Sequence, residues 1–287
     1  MAGTRQLQLR MKSVQGTQQI TRAMKLVSTA KLQKVRTMVE ANKEYFTSIQ
    51  DTVRSIVEHS GSYVLQPYMS QRQSGKDAYL LITSDRGLAG GYNSNVCRLA
   101  QEAIQNQDEA VVLSVGHKGK EYFQRRGYTV AEEYKALEEI PRYAEVRKIG
   151  EELMHRYMSG EYRSIYVVYT SFINTLSQQA KLLKLYPLSQ EDFESAEAKG
   201  KEALMNFEPS GEAVLGYVIR QYINAVLFGA LMESAASEQG ARMTAMDSAT
   251  DNAQNIVDSL RLKYNRVRQS NITQELTEII NGSSAVD

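Results

Sequence analysis

Both ends of the chain are free of proline, the residue that most strongly interrupts a helix, and this limits what they can fold into. The four prolines stand at positions 67, 141, 187 and 209 of the 287 residues. From about Gln6 to His59, residues spaced alternately by four and three follow the pattern of a coiled-coil seam. The seam consists of Leu7, Met11, Val14, Gln18, Thr21, Lys25, Ser28, Leu32, Val35, Val39, Asn42, Phe46, Ile49, Val53 and Ile56. We therefore predict one long N-terminal helix whose seam is polar around Lys25 and Ser28.

A second seam occupies the C-terminal segment. Proline suits the first turn of a helix and glycine its end, so this helix is predicted to begin at Pro209 and stop at Gly282. Its seam is rich in alanine and consists of Val214, Val218, Gln221, Ala225, Phe228, Met232, Ala235, Gln239, Arg242, Met246, Ala249, Ala253, Ile256 and Leu260. At about 1.5 Å per residue the helix would be on the order of 110 Å long, more than a compact domain can cover. Something else must surround it.

Short β-branched and aromatic runs replace this pattern between the two helices. They predict strands at Ala78–Thr83, Ala110–Val115, Ser164–Thr170 and Ala180–Tyr186. Helices are predicted between the first three strands, near Asn93–Gln105, Lys118–Arg126 and Arg142–Met158. This alternation favours an open, largely parallel sheet. The predicted fold class is thus α/β plus a long α coiled coil.

The predicted domain organisation is an antiparallel two-helix coiled coil into which a Rossmann-like α/β domain is inserted. The boundaries are 1–60 for the N-terminal helix, 61–208 for the α/β domain, and 209–287 for the C-terminal helix and its tip. Because the termini of an inserted compact domain lie close together, the numbers of facing residues should add to about 269. Leu7 then faces about Leu262, and residues 263–287 have no partner within the chain.

The same register places Lys25 and Ser28 opposite Arg242 and Gly240, where the second seam is also polar. Polar seam positions lower the stability of a coiled coil but can fix its register. Two interpretations stay open at this point. In the first, the coil is loosened here or contacts other chains. In the second, the polar residues form a layer that sets the register.

Charge and composition exclude several classes of protein. The net charge is +1, but the first acidic residue is Glu40, and it is preceded by eight basic residues. A second basic cluster consists of Arg261, Lys263, Arg266 and Arg268. Both ends are therefore expected to face either an acidic surface or no partner at all. The single cysteine, Cys97, excludes an internal disulfide. We expect no signal peptide and no membrane span, since polar residues interrupt the apolar stretch 214–231.

No catalytic, metal or cofactor site is predicted. Gly87, Gly90 and Gly91 follow a predicted strand, but their spacing matches neither a dinucleotide fingerprint nor a P-loop, so a tight turn is favoured. The three histidines, at 59, 117 and 155, stand apart in sequence and are interpreted as surface or capping residues. The carboxylate pairs 132–133, 138–139 and 151–152 are interpreted as solvated helix faces.

Four dispersed motifs resemble one family. The tail from Ile272 to Gly282 (ITQELTEIING) is closely similar to the C-terminal signature of the γ subunit of F-type ATP synthases, although Ser283 replaces the usual alanine after the glycine. The stretch from Met11 to Val27 is similar to the start of that family. So is SDRGLAGGYN at 84–93, with Ala89 where many members carry cysteine, and the segment 235–246 that contains Ser237-Glu238-Gln239 and Ala241-Arg242-Met243.

The resemblance implies the central-stalk rotor subunit of a proton-translocating F-type ATP synthase, without a catalytic site or cofactor of its own. It implies as partners three α and three β subunits, the ε subunit and the c ring, and a peripheral position at the cytoplasmic face of the cell membrane. By the same resemblance, Arg268 and Gln269 engage a catch loop of a β subunit, with Thr273 and Glu275 on the bearing tip. Met24, Lys25 and Arg242 match a second contact level, and Phe207 and Glu208 the foot on the c ring.

One rival function remains on sequence grounds alone. A coiled-coil protein with a basic N-terminal helix could bind nucleic acid through phosphate contacts, or serve as a structural protein. Aromatic residues for base stacking are absent before Tyr45, which speaks against nucleic acid.

Overall fold

The computed structural model describes residues 2–60, 65–70, 72–134, 141–189 and 211–283. The chain divides into two compact units. The first unit combines Met1–Ser28 with Arg242–Asp287, and the second consists of Thr29–Ala241.

Two long helices form the ends of the chain, as predicted. Helix α1 spans Ala2–Ser60, and the last helix, α6, spans Gly211–Ser283. The predicted start of α6 at Pro209 lies outside the described residues. The α1 seam is confirmed at every position that the structure describes, since each of these members is buried or half-buried; the side chain of Asn42 lies outside the described set. The heptad spacing of α1 was therefore a reliable guide to its contact face.

The α6 seam is wrong at one position near its end, Ile256. Ile256, which was assigned to the contact face, is 47% exposed, whereas its neighbour Val257 is 7% exposed. Ala253 and Leu260 are buried as predicted. Two apolar residues in succession allow the four-three alternation to be placed in either of two phases. The packing against α1 decides between them, and the sequence of α6 alone does not contain that information.

A five-stranded sheet forms the centre of the second unit. Its strands are β1 (Lys76–Ile82), β2 (Ala110–Val115), β3 (Val130–Tyr134), β4 (Tyr162–Phe172) and β5 (Gln178–Tyr186). The order across the sheet is β3-β2-β1-β4-β5, and all neighbours are parallel except β4 and β5, which are antiparallel. The largely parallel α/β sheet is thereby confirmed.

Strand β3 was missed by the sequence analysis. Its sequence, VAEEY, contains two glutamates, and its residues are half-buried and exposed in alternation. Among the described strands it pairs with β2 alone, at the edge of the sheet, so it does not need the continuous apolar run that identifies buried parallel strands. Glu132 and Glu133 were interpreted as helical and in fact lie in this strand, where successive side chains point to opposite faces.

Helices cover both faces of the sheet. A short helix, α2 (Gln66–Met69), precedes β1, while α3 (Tyr92–Ala103), α4 (His117–Gln124) and α5 (Tyr143–Met158) connect the parallel strands. On one face, Tyr79 and Leu81 of β1 pack with Val96 and Phe123. On the other, Leu80 and Ile82 belong to the large core that contains α5 and the second unit's parts of α1 and α6. Cys97 is buried on the first face, where burial raises the pKa of its thiol to about 12.

The apolar character of α6 is explained by this core. An 18-residue window of the helix has a mean hydropathy of 1.4, which by length and composition alone would suit a membrane span. Half of that window is buried inside the protein. Ile219, Ile223 and Leu227 are each at most 1% exposed and pack in the large core. The burial accounts for the hydropathy, since the core helix of a large protein is apolar on most of its faces.

Candidate partner-binding surface

Polar contacts fix how α1 and α6 pair within the first unit. The side-chain amide of Gln8 donates to the hydroxyl of Tyr264 over 3.0 Å, and that of Gln18 donates to the side-chain oxygen of Gln254 over 2.9 Å. The hydroxyls of Thr21 and Thr250 are 2.8 Å apart. The partners' numbers add to 272, 272 and 271. The helices are antiparallel, as predicted.

The predicted register is wrong by about three residues in this unit. It assumed that both helices leave the α/β domain at facing positions, and it placed Leu7 opposite Leu262, which is 72% exposed. In the second unit, by contrast, the rings of Phe46 and Tyr222 stack at 5.8 Å, and their numbers add to 268, close to the prediction. The register of the first unit follows the local polar pairs rather than the point where the helices leave the domain.

The polar section of the seam is closely packed. Thr21 is 8% exposed, Ser28 2% and Arg242 9%. Lys25 is half-buried and forms an ion pair with Asp247 across the two helices. These buried polar residues favour a layer that fixes the register over a loosened coil. Gly240, which was predicted to belong to the same level, lies in the second unit beside Phe172 and Gln178.

The Lys25–Asp247 pair should contribute little to stability, because its side chains are 37% and 50% exposed. We expect a double-mutant cycle with Lys25→Ala and Asp247→Ala to give a coupling free energy of about 0.5 kcal/mol that falls with added salt. Chemical denaturation of the four chains measures it. A salt-independent coupling of several kcal/mol would show that the pair is desolvated.

The residues assigned to the second contact level are less accessible than expected. Met24 and Lys25 are half-buried and Arg242 is buried. Exposed apolar residues of α1 surround this level and were not singled out from the sequence: Ile20 is 62% exposed, Leu26 66% and Val27 52%. In the sequence they could have been recognised as apolar residues at positions outside the seam. Ile20 and Val27 are seven residues apart and therefore share one face of α1, and exposed apolar side chains on one face are typical of protein contact surfaces.

The predicted bearing tip is exposed. Arg268, Gln269, Thr273 and Glu275 all lie in α6 with exposed side chains. Arg268 and Glu275 are seven residues apart and therefore share one face of the helix. Ile272, which is 46% exposed, adds apolar area between the charges, and Leu276, which is 55% exposed, follows Glu275. Since Tyr264 still pairs with Gln8 and facing residues add to about 272, the part of α6 that extends beyond the start of α1 begins after about Ser270, later than the predicted Leu262. The foot residues Phe207 and Glu208 lie outside the described residues.

The glycine-containing loop at 84–93 is a turn held by its own polar side chains. The side-chain oxygen of Asn93 accepts from the backbone N–H of Ser84 over 2.9 Å, and the Asn93 amide donates to the Ser84 hydroxyl over 2.8 Å. The carboxylate of Asp85 accepts from the backbone N–H of His117 at the start of α4. These bonds give Ser84, Asp85 and Asn93 partners within the protein and agree with the predicted tight turn.

Several charged residues interpreted as solvated are instead paired on the sheet edge. The Nδ1 atom of His117 lies 3.2 Å from Glu133, which also accepts from the Lys120 ammonium. The Lys120 ammonium and then His117 lower the pKa of Glu133. Arg156 pairs with both Glu132 and Glu152. These ion pairs hold β3 and α5 in place within the second unit.

Comparisons with known proteins point to one family. A family model described as ATP synthase matches residues 3–286. The ATP synthase gamma chain of Lachnoclostridium phytofermentans is 47% identical over 292 residues, with all of both chains covered. The sodium ion specific ATP synthase gamma chain of Acetobacterium woodii is 42% identical over 293 residues, with 97% of each chain covered.

Solved structures share the fold. A chain of the Euglena gracilis mitochondrial ATP synthase, in a structure of OSCP, F1 and c-ring, aligns with a TM-score of 0.68 at 17% identity and covers 99% of this chain and 95% of its own length. A chain of the Tetrahymena thermophila central stalk and c-ring aligns with a TM-score of 0.60 at 23% identity, over 80% of this chain and 99% of its own.

Proposed function

The chain belongs to the γ-chain family of the ATP synthases, and from this premise we propose which of its surfaces transmit rotation. It is a central-stalk rotor subunit and has no catalytic site of its own. The alternative of a nucleic-acid-binding or purely structural coiled-coil protein is not favoured, because the relatives match over the full length of the chain. The proposal concerns the partners of this subunit and the residues that contact them.

The proposal rests on the exposed tip at the C-terminal end of α6. Between Arg268 and Thr277 the described side chains are exposed, apart from the half-buried Asn271, and they combine charged, amide and apolar groups on a single helix. A helix with such a surface receives little stabilisation from packing against its own chain, so it needs a surrounding protein to hold it in place. We place this tip inside a ring of three α and three β subunits. There Arg268 and Gln269 contact a β-subunit catch loop, and Thr273 and Glu275 form the bearing.

The second contact level lies where α1 and α6 pair with each other, further than the tip from the C-terminal end of α6. Met24, Lys25 and Arg242 act here mainly by fixing the register of α1 against α6, because they are half-buried or buried. The exposed apolar residues Ile20, Leu26 and Val27 supply the contact area. Basic side chains of α1, such as Arg10, Lys12 and Arg22, are exposed and suit an acidic partner surface.

The mechanism that follows is conformational. An asymmetric rotor contacts each β subunit differently, so its rotation shifts each catalytic site between states of different nucleotide affinity. No nucleotide needs to bind to this chain. We place Phe207 and Glu208 at the c ring, include the ε subunit among the partners, and assign the complex to the cytoplasmic face of the membrane as a peripheral assembly.

Deleting Arg268–Asp287 tests the role of the tip. We expect the isolated chain to unfold with a free energy within about 1 kcal/mol of the full chain, since the deleted side chains contribute little buried area. ATP turnover of the complex assembled with the shortened chain should fall about tenfold or more, which corresponds to roughly 1.4 kcal/mol of lost coupling. Removing only residues 284–287 is the control and should leave turnover unchanged. Full turnover with the longer deletion would refute the assignment of the tip.

A further inference from the structure

The carboxyl end of β4 contacts a helix, rather than another strand, on one of its two sides. β1 pairs with β4 up to Leu81 and Val168, while β4 continues as far as Phe172. Among the described residues no strand flanks β4 beyond Val168 on this side. In open α/β sheets, ligands usually bind between two parallel strands whose connections lead to opposite sides of the sheet, as those of β1 and β4 do. In this protein α6 lies there.

Two serine hydroxyls of α6 bind the backbone of one residue in this part of β4. The backbone N–H of Thr170 donates to the Ser234 hydroxyl over 3.2 Å, and the Ser237 hydroxyl donates to the Thr170 backbone oxygen, also over 3.2 Å. All three residues are at most 3% exposed. Buried backbone groups need partners, so the serines take the place of a strand. We term these two hydrogen bonds the serine clamp.

Helix α6 also lies close against the turn between β4 and β5. A Cβ atom on Gly240 would be 3.4 Å from both the Phe172 ring and the side-chain nitrogen of Gln178. The second unit ends at Ala241, one residue later. The serine clamp and this contact therefore hold α6 to the sheet just before the helix leaves the second unit.

The serine clamp adds a directional constraint to the apolar packing of α6. Apolar burial is non-directional, whereas a hydrogen bond weakens steeply when its angle or length changes. Ser234 and Ser237 are three residues apart, so they share one face of α6. A slide of the helix by one residue, about 1.5 Å, or a turn about its own axis would move both hydroxyls away from Thr170.

We propose that the serine clamp prevents α6 from turning or sliding against the sheet when the rotor works under load. Ser234 and Ser237 are then positioning residues for the transmission of rotation. Turning of the c ring moves the sheet and α6 together, instead of twisting α6 alone. This role rests on the rotor function and on the placement of the c ring at Phe207 and Glu208.

Replacing both serines, Ser234→Ala with Ser237→Ala, in the complete ATP synthase tests the clamp. The complex is reconstituted into sealed phospholipid vesicles, and ATP hydrolysis is measured with and without an ionophore that collapses the membrane potential. In a coupled rotor the potential opposes rotation, so the ionophore stimulates hydrolysis. Loss of one neutral hydrogen bond corresponds to about a fivefold change in a rate, so hydrolysis against the potential should rise about fivefold or more, up to the rate with ionophore. The rate with ionophore should stay unchanged.

Two control variants separate this role from a general loss of stability. Ser248→Ala with Ser259→Ala removes two hydroxyls from exposed positions of α6. Ile219→Val shortens a side chain of α6 that is 0% exposed, and it destabilises the chain about as much as loss of one hydrogen bond while the clamp stays in place. Both controls should keep the full stimulation by the ionophore.

Full stimulation in the clamp variant, or an equal loss of stimulation in Ile219→Val, would overturn the proposal. A fall of the rate with ionophore, which is the result expected for deletion of the tip, would overturn it as well. It would place the serines in the contacts with the α and β subunits instead. If the double variant does not fold, Ser237→Ala alone is measured against the same criteria.

Discussion

Replacing Arg268 and Gln269 together by alanine is expected to lower ATP turnover of the assembled ATP synthase by about tenfold or more. Both side chains are exposed near the end of α6, and hydrogen bonds from a charged donor to a partner contribute roughly 1.5–3 kcal/mol each. The internal bond at this position runs from the Thr273 hydroxyl to the backbone oxygen of Gln269, so the substitution leaves it in place. Steady-state ATP hydrolysis by the purified complex measures the effect.

Folding of the isolated chain should hardly respond to the same double substitution. Exposed positions of a helix usually tolerate alanine within about 0.5 kcal/mol, and alanine is itself a strong helix former. A matched control replaces Gln124 and Arg125, a neighbouring glutamine and arginine that are also exposed but lie at the end of α4. That variant should keep full turnover. If both double variants lose turnover equally, or if the tip variant loses stability in proportion, Arg268 and Gln269 have no contact role.

The sequence predicted the repetitive parts of this fold well. A seam repeated over fifty residues of α1 leaves few alternatives, and its described members are all buried or half-buried. The strands β1, β2 and β4 were found because a parallel strand covered on both faces is apolar along its length. The strand-to-helix turn at 84–93 was also recognised correctly, from glycines whose spacing fits no nucleotide motif.

The sequence-based predictions failed where the local structure is determined by contacts with another segment of the chain. The choice between Ile256 and Val257, and the register of Gln8 against Tyr264, depend on the facing helix. Strand β3 is stabilised by pairing with β2 and by the partners of Glu132 and Glu133, which its own five residues do not reveal. For the candidate surface, Arg268 and Gln269 were assigned from the family resemblance, and their contact role stays a prediction. Only the structure showed that Ile20 and Val27 are exposed at this surface whereas Arg242 is buried.

Gly116→Ala is expected to destabilise the second unit by about 3 kcal/mol or more, the largest stability effect among these substitutions. Gly116 joins β2 to α4 with a φ of +88°, a conformation that residues with a Cβ rarely adopt. A Cβ atom here would overlap the backbone oxygen of Thr83. The backbone cannot move away easily, because the Ser114 hydroxyl donates to the Gly116 oxygen over 2.7 Å and the Gly116 N–H donates to Tyr134.

Gly16→Ala is the matched control for this substitution, and it is expected to act in the opposite direction. Gly16 lies within α1, and a Cβ there would meet nothing within 4 Å. Alanine in a helix interior is favoured over glycine by up to about 1 kcal/mol, so this variant should be slightly more stable than the natural chain. Chemical denaturation of both variants gives the two free energies. Should Gly116→Ala prove as stable as Gly16→Ala, the junction of β2 and α4 must relax by rotating Gly116 out of the left-handed region. The Ser114 and Tyr134 bonds would then be lost at no measurable cost, contrary to the fixed geometry argued for this end of the sheet.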